Sequence, residues 1–295
     1  MYKASNAAPE LTLAPFTNSG EISPATHVAT REILEVEADG GSLALQRSLM
    51  EKVADIETMS WSDKMTVFRA AEVINIIHAG QKRSDGDKTH TAHAYRIVHK
   101  MLSLGVTDRD MLVAALLHDT VEDRPEVLIT VLSDGEVSSH GMSEQAIRQE
   151  AFAQIGQEYG DEASGLVAEL TNPIRDEVRF PGDEGKLLEY GIHLRGLLAT
   201  GSPAVLIKIL DQWDNYVLNW RTQKPERQLR SYQKYLGFTG DFIQAIGRVT
   251  RLNAALRQSL ILEFQAGRRR AIDCIEAHEM LSVEQLVGAR VLQRV

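Results

Sequence analysis

The sequence predicts an all-α protein, and three observations support this prediction. Apolar residues recur at the three- and four-residue spacing of amphipathic helices along most of the chain. Two segments, around residues 111–121 and 203–220, are apolar on nearly every side, as expected of helices buried in a core. No stretch alternates apolar and polar residues convincingly over the length of a strand, and no internal repeat is present.

Composition and charge narrow the class of protein. The chain has 295 residues, of which 43% are hydrophobic and 25% charged, an ordinary globular composition. Its net charge of -9 argues against nonspecific binding to nucleic acid or to an anionic membrane. The longest apolar run, residues 111–117, is far shorter than the roughly 20 residues that cross a bilayer. One cysteine, Cys274, and the lack of a secretory signal predict a cytoplasmic protein without an intrachain disulfide.

The first elements are predicted from the period of their apolar residues and from the residues that begin or end helices. Residues 1–42 contain three prolines among small and polar residues, so we expect an extended N-terminal arm. Helices are predicted over residues 43–59 and 62–78, with Ser62 as the cap of the second. A polar loop follows over residues 81–90.

The central helices begin after this loop. The next helix is predicted from Thr91 to Gly105, with His93 facing away from the middle of its apolar stripe. Asp108 is a candidate cap for the buried helix that reaches Val121. Further helices are predicted over residues 143–159, 161–171 and 203–220.

The C-terminal part is predicted to form a helical extension. Residues 241–264 have the pattern of one long amphipathic helix, and residues 268–270 are a short basic cluster. Ser282 and Gln285 have the spacing of a capping box that would open a final helix. The apolar face of the long helix must pack either on the rest of the chain or on a second subunit, so a homo-oligomer is one alternative.

Four titratable side chains crowd one end of the buried helix over residues 111–121. They are His118, Asp119, Glu122 and Asp123. Burying such groups unpaired is costly, and a divalent cation is one explanation for imidazole and carboxylate groups at this position. The alternative is a helix end that emerges into solvent, and spacing alone supports the two interpretations equally.

Two further segments carry polar groups of the same kind. Asp211 and Asn215 are four residues apart and share one face of an apolar helix, which suits a metal ligand followed by an orienting amide. Taken alone, a surface polar stripe or a hydrogen-bonded core pair is the simpler interpretation. His93 alone is likewise more typical of a structural histidine than of a ligand. The three segments become informative only together.

Taken in order, these segments resemble a known family. Residues 78–83, 91–93, 114–123 and 207–211, followed by Asn215, are similar to the HD-domain metal-dependent phosphohydrolases. The resemblance is closest to the alarmone hydrolases, namely the hydrolase half of the bacterial RelA/SpoT proteins and the small alarmone hydrolases. It covers roughly residues 60–222, and residues 114–123 are its most specific part. It implies an HD-domain helical bundle.

The resemblance implies a metal site and a reaction. It assigns one Mn²⁺ to His93, His118, Asp119 and Asp211. Family members use this ion to hydrolyse the 3'-pyrophosphate of guanosine tetraphosphate or pentaphosphate, which gives GDP or GTP and pyrophosphate. A site with four protein ligands leaves positions for water and substrate.

The resemblance also implies roles for other residues. Glu122 and Asp123 match an acidic pair that positions water and assists proton transfer. Asn215 matches a position that contacts the nucleotide. Lys82 and Arg83 stand near the family's basic pair, which suits phosphate oxygens, although a solvated loop is the alternative.

Several positions depart from the family pattern. Thr89 and His90 replace the usual Pro-Tyr pair, and we interpret His90 as a polar lining residue, with an accessory ligand as the alternative. Residues 212–215 read Gln-Trp-Asp-Asn where Arg-Leu-His-Asn is common, so the added acid is expected to weaken phosphate binding. Extra residues over 128–149 are a lid, a partner surface or an inert insertion.

These observations give one expected function and two alternatives. We expect an HD hydrolase domain over residues 43–235, a C-terminal extension over 236–295, and alarmone hydrolysis without a synthetase half, for which the remaining residues are too few. One alternative keeps the metal site and changes the nucleotide. The other is a non-catalytic binding or regulatory module, against which the retention of all four ligands argues.

Overall fold

A computed structural model describes residues 24–81, 90–218 and 225–292, and these residues are all-α, with no strand among them. The prediction of the fold class is confirmed. The helices are α1 Pro24–Ala54, α2 Trp61–Ile77, α3 His90–Ser103, α4 Arg109–Leu117, α5 Thr120–Asp123, α6 Pro125–Leu132, α7 Glu144–Tyr159, α8 Asp161–Leu170, α9 Gly182–Leu198, α10 Ala204–Gln212, α11 Pro225–Leu236, α12 Thr239–Arg248 and α13 Ala254–Leu292. A π-helical segment, Trp213–Leu218, continues α10.

The core of the bundle forms around α3, α4 and α10. Every residue of α4 from Met111 to Leu117 is buried, and so is every residue of α10. Helices α1 and α2 cover one side of this centre, and α8 covers another. Because these central helices are surrounded by others, polar side chains on them point into the protein rather than into solvent.

Helix α1 corrects the expectation of an extended lead-in up to residue 42. The chain is helical from Pro24, and the break comes only at Gly40 and Gly41, where Gly41 has a φ of 61°. Ile33 is buried in the core, and Glu37 forms an ion pair with the buried Arg96. Tertiary contacts of this kind stabilise a helix whose own sequence pattern is weak. Residues 1–23 lie outside the described residues.

The helix caps agree with the sequence at one position and differ at another. Asp108 caps α4 as predicted, since its side chain accepts a hydrogen bond from the backbone N–H of Met111. Helix α2 is capped by Ser60 and not by Ser62: the Ser60 hydroxyl accepts from the backbone N–H of Asp63 at 3.1 Å. The helix therefore begins one residue earlier than predicted.

Both of the apolar helices predicted from the sequence are interrupted where their polar residues lie. The first ends at Leu117, and a short helix, α5, begins at Thr120. The second changes from α-helix to π-helix at Trp213. Such π-helical segments are frequent at functional sites because they shift the direction of the following side chains.

The C-terminal helices differ from the predicted pattern in two ways. The predicted continuous helix over residues 241–264 is wrong, because residues 249–253 separate α12 from α13. Position 282 lies inside α13, so no separate helix begins there. The apolar faces of both helices contribute to the main core through Phe242, Ile246 and Phe264. None of the described helices is both long and apolar enough to span a bilayer.

Candidate metal centre

Four side chains from three distant segments of the chain lie close together where α3, α4 and α10 meet. His93 comes from α3, His118 and Asp119 follow the end of α4, and Asp211 comes from α10. One potential ligand atom each of His93, His118 and Asp211 lies within 4.8 Å of the others, and all three residues are buried.

The distances between these groups suit a shared cation. His93 Nε2 lies 3.2 Å from Asp211 Oδ1, and His118 Nε2 lies 3.1 Å from Asp119 Oδ1. Asp119 Oδ2 lies 3.8 Å from His93 Nε2. Neither Nε2 atom has a hydrogen-bond partner of good geometry, although both are buried. Buried polar atoms are normally paired, so two such nitrogens facing two carboxylates fit a divalent cation.

The second nitrogen of each imidazole is held from behind. His93 Nδ1 donates to Asp214 Oδ2 at 2.6 Å, and His118 Nδ1 donates to the carbonyl oxygen of Ala115 at 2.9 Å. These bonds direct each Nε2 into the cluster, where a bound cation would take the place of any proton on it. A hydrogen bond of this kind fixes the tautomer and the ring orientation of metal-binding histidines.

The side chains of His93 and Asp214 are both buried. His93 was expected to face away from the middle of the apolar stripe of α3, and its side chain is nonetheless buried because other helices cover α3. Asp214 was expected to weaken phosphate binding. It is fully buried behind His93, where Arg96 donates to both of its oxygens at 2.6 and 2.9 Å.

The electrostatic character of the cluster favours positive charge. Burial lowers the pKa of His118, but Asp119 and Asp211 outweigh burial and raise it to about 9. Burial likewise raises the pKa of Asp119, yet His118 and His93 hold it well below its ordinary value. Both carboxylates of the cluster are therefore ionised at neutral pH, which is the form that binds a cation.

Two polar neighbours hold Asp211. Lys208 Nζ lies 3.0 Å from Asp211 Oδ2, and Asn215 Nδ2 donates to Asp211 Oδ1 at 2.6 Å. The structure thus places Asn215 against a carboxylate of the cluster. Burial raises the pKa of Asp211, but Lys208 and the two histidines more than offset this and lower it. The lysine keeps the carboxylate ionised and fixed.

Glu122, four residues after His118, lies in the wall of a large cavity. Its carboxylate accepts hydrogen bonds from the backbone N–H of Asn172 at 2.7 Å and from the Asn172 amide at 3.0 and 3.1 Å. The cavity has a volume of about 1020 Å³, and Glu122 forms part of its wall. Its basic lining residues are Arg148, Arg175, Lys186 and Lys234, and its acidic ones are Glu122, Glu144, Glu177, Asp183 and Glu189. Glu144 and Glu177 in the same wall pair with the two arginines.

Asp123 belongs to a different group of side chains. Asp123 Oδ2 lies 3.3 Å from His90 Nδ1, and the His90 ring stacks on that of His78 with 5.3 Å between centroids. The structure therefore separates the predicted acidic pair, with Glu122 toward the cavity and Asp123 toward this second group. Lys82 and Arg83, the predicted phosphate-binding pair, lie outside the described residues.

Several residues of the site were not selected from the sequence. The cluster is supported by Lys208 at Asp211 and by Asp214 at His93, with Arg96 behind Asp214. Glu122 is held by Asn172. A signal for Lys208 was present, because a lysine within an otherwise apolar helix must find a buried partner. Arg96 and Asp214 stand three residues after His93 and Asp211, on the same helix faces. Nothing in the sequence pointed to Asn172.

The similarities to known proteins are distant. No protein-family model matches the chain. A protein of Mycobacterium leprae (strain TN) described as "Probable GTP pyrophosphokinase" is 29% identical over 181 residues, which cover 61% of this chain and 19% of that protein. The chain thus spans about a fifth of the length of this relative. The similarity points to the RelA/SpoT family, in line with the resemblance of the motifs.

Proposed function

We propose that this chain hydrolyses the 3'-pyrophosphate of guanosine tetraphosphate and pentaphosphate, releasing pyrophosphate and GDP or GTP. The observation that carries this proposal is the cluster of His93, His118, Asp119 and Asp211. It presents two buried imidazole nitrogens without partners and two ionised carboxylates at distances that suit one cation. Buried charges of this kind are normally paired or bound to a metal, and a cation would offset the cost of burying them.

Mn²⁺ is the ion we assign to this cluster. Mixed imidazole and carboxylate ligands suit a first-row divalent ion, and four protein ligands leave positions open. When bound, the ion would offset the negative charge of a phosphoryl group and lower the pKa of water.

The chain's own residues have separate roles in the proposed reaction. Water adds to the phosphorus that is bonded to the 3' oxygen. The bond between this phosphorus and the 3' oxygen then breaks, and the 3' oxygen takes up a proton. Glu122, fixed by Asn172, is the group we assign to orient the water and accept its proton. Asn215 and Lys208 hold Asp211 in place, and Asp214 does the same for His93.

The cavity beside Glu122 is the proposed seat of the substrate. Its volume of about 1020 Å³ is ample for a nucleotide. Four basic side chains line it together with five acidic ones, so phosphate groups would have to bind beside the basic residues. The partner carboxylates of the two arginines are largely exposed, so these ion pairs are weak and can be exchanged for phosphate groups. Lys82 and Arg83 remain proposed phosphate contacts.

The distant relative supports the class of substrate. Its description, "Probable GTP pyrophosphokinase", names transfer of a pyrophosphoryl group to GTP and not hydrolysis, and the matched region is about a fifth of its length. Guanine nucleotides with pyrophosphate groups are therefore the first substrates to test. His90, which stands where the family has a tyrosine, lies against Asp123. This contact favours testing other nucleotides as the second candidate.

The experiment is a product assay by chromatography, with and without Mn²⁺. We expect guanosine tetraphosphate to yield GDP and pyrophosphate only when Mn²⁺ is present. His118→Ala should abolish both turnover and Mn²⁺ binding while leaving most of the helicity, whereas His140→Ala, at an exposed loop position, should change neither. Adenine alarmones and deoxynucleotides complete the panel. Inertness toward every 3'-pyrophosphate would refute the proposed substrate, and hydrolysis of a different nucleotide would replace it.

A further inference from the structure

The three residues His78, His90 and Asp123 form a second group with the composition of a metal site. His78 follows the end of α2, His90 begins α3, and Asp123 ends α5. One potential ligand atom of each lies within 4.8 Å of the other two. Three elements therefore bring two imidazoles and one carboxylate to one point, although the residues are up to 45 positions apart in the chain.

The spacing within the group fits coordination better than direct pairing. His90 Nδ1 and Asp123 Oδ2 are 3.3 Å apart, which is longer than a charge-assisted hydrogen bond of about 2.7–2.9 Å. Two ligand atoms bound at about 2.0–2.1 Å in tetrahedral geometry lie roughly 3.3 Å apart. The observed separation thus leaves room for an ion between the two groups.

His78 is prepared for the same role by its own neighbour. Its Nδ1 donates to Gln81 Oε1 at 2.8 Å, so the lone pair of its Nε2 remains free. The rings of His78 and His90 stack nearly parallel, with 13° between their planes. Two cationic rings in this arrangement would repel each other, which favours the neutral imidazoles that metals require. Burial and His90 both lower the pKa of His78.

We propose that His78, His90 and Asp123 bind a second divalent cation, of the imidazole-preferring kind represented by Zn²⁺. Two imidazoles and one carboxylate leave a fourth position open, as in catalytic zinc sites. His78 is buried, while the side chains of His90 and Asp123 are partly exposed, so the ion can exchange with solvent.

The second site lies one helical turn from the first. The backbone N–H of Asp123 donates to the carbonyl oxygen of Asp119, so the carboxylates of the two clusters stand on successive turns. Cations on successive helical turns would both attract the phosphate groups of one polyanionic substrate. The inference does not depend on the proposed reaction, because it concerns ion binding alone.

The test is the number of Zn²⁺ ions that the metal-free protein binds, measured by equilibrium dialysis and elemental analysis. We expect two ions per chain for the wild type and one for His90→Phe, which keeps an aromatic ring on His78. His118→Ala should also bind one ion, and the double variant should bind none. His140→Phe is the matched control at an exposed loop position, and it should bind two.

Co²⁺ gives an independent readout through its visible absorption. The absorption gained with the second equivalent should disappear in His90→Phe and in His90→Gln, while circular dichroism shows both variants folded. An unchanged count of two in His90→Phe would overturn the proposal, as would a loss of both ions in His118→Ala. The two proposals can fail separately. If the wild type binds two ions but hydrolyses no alarmone, the proposed reaction is refuted and the proposed second site stands.

Discussion

The carboxylate of Asp214 and the imidazole of His93 are joined by a hydrogen bond of 2.6 Å between Oδ2 and Nδ1. Both side chains are buried, and Arg96 holds the opposite edge of the carboxylate. The bond places the proton on Nδ1 and the lone pair on Nε2, which faces Asp211. Asp214 is thus a positioning residue for the candidate metal centre, although it does not itself reach the cluster.

Replacing this aspartate should weaken metal binding. We expect Asp214→Asn to raise the dissociation constant for Mn²⁺ about 10- to 100-fold, since outer partners of metal-binding histidines contribute that much. Isothermal titration of the metal-free protein measures the effect. Asp241→Asn, which removes one member of a surface pair with Arg195, is the control and should leave the constant unchanged. Equal affinity in wild type and Asp214→Asn would contradict the positioning role.

Arg96 should matter for stability far more than an exposed arginine. Its guanidinium is fully buried between Asp214 and Glu37, so Arg96→Met leaves two carboxylates without their cation. Removing one partner of a buried pair costs about 3–5 kcal/mol. Arg31→Met breaks an exposed pair with Glu35 and should cost less than about 1 kcal/mol. Urea unfolding compares the two, and similar losses would show that the buried pair contributes no more than the surface pair.

Glu263 links the C-terminal helix to the centre of the bundle. It forms an ion pair with the buried Lys100 at 3.1 Å and accepts a hydrogen bond from the indole N–H of Trp213. Glu263→Met should therefore destabilise the protein by about 3 kcal/mol, because the buried Lys100 loses its carboxylate partner and keeps only its hydrogen bond to Thr30.

The matched experiment adds Lys100→Met to this variant. With both charged residues replaced by methionine, no charge is left buried without its partner. The double variant should therefore recover about 1 kcal/mol or more of the lost free energy of unfolding. Denaturant unfolding of the wild type, both single variants and the double variant gives the coupling energy. Strictly additive losses would show that Lys100 and Glu263 do not act as a pair.

The sequence predicted the fold class, because the period of the apolar residues is a local pattern that gives the helices. The four residues of the first cluster were chosen only through the family resemblance, since the spacing of His118 and Asp119 alone left a solvent-exposed helix end as an equal alternative. The breaks at Leu117 and Trp213 were not predicted, because packing and not local propensity decides where a buried helix ends. Nor was the role of Asn172, since its contact with Glu122 joins residues 50 positions apart.

The N-cap of α2 is a position where the sequence-based prediction, Ser62, and the structure, which has Ser60, can be compared by experiment. Ser60 accepts the backbone N–H of Asp63, whereas the side chain of Ser62 caps nothing. Ser60→Ala should lower the free energy of unfolding by about 1 kcal/mol, and Ser62→Ala should change it by less than about 0.5 kcal/mol. Thermal and urea unfolding of both variants tests this, and the opposite order would restore Ser62 as the cap.

His99 should make the protein less stable in mild acid. Its Nε2 donates to the carbonyl oxygen of Leu45 at 2.9 Å in a buried position, and burial lowers its pKa from 6.5 to about 4, with Lys52 adding to this and Glu32 opposing it. Between these values the unfolded chain binds a proton that the folded chain does not. The stability present above pH 6.5 is therefore lost as the pH falls toward 4, by about 3 kcal/mol in total.

His99→Gln isolates this contribution because an amide can also donate to Leu45 but does not titrate. Urea unfolding of both proteins between pH 7 and pH 4 gives the free energy of unfolding at each pH. All other titrating groups are shared, so the wild type should lose stability more steeply than the variant over this range, and the two curves should run parallel above pH 7. Parallel curves throughout would mean that His99 accepts a proton in the folded protein as readily as in the unfolded chain.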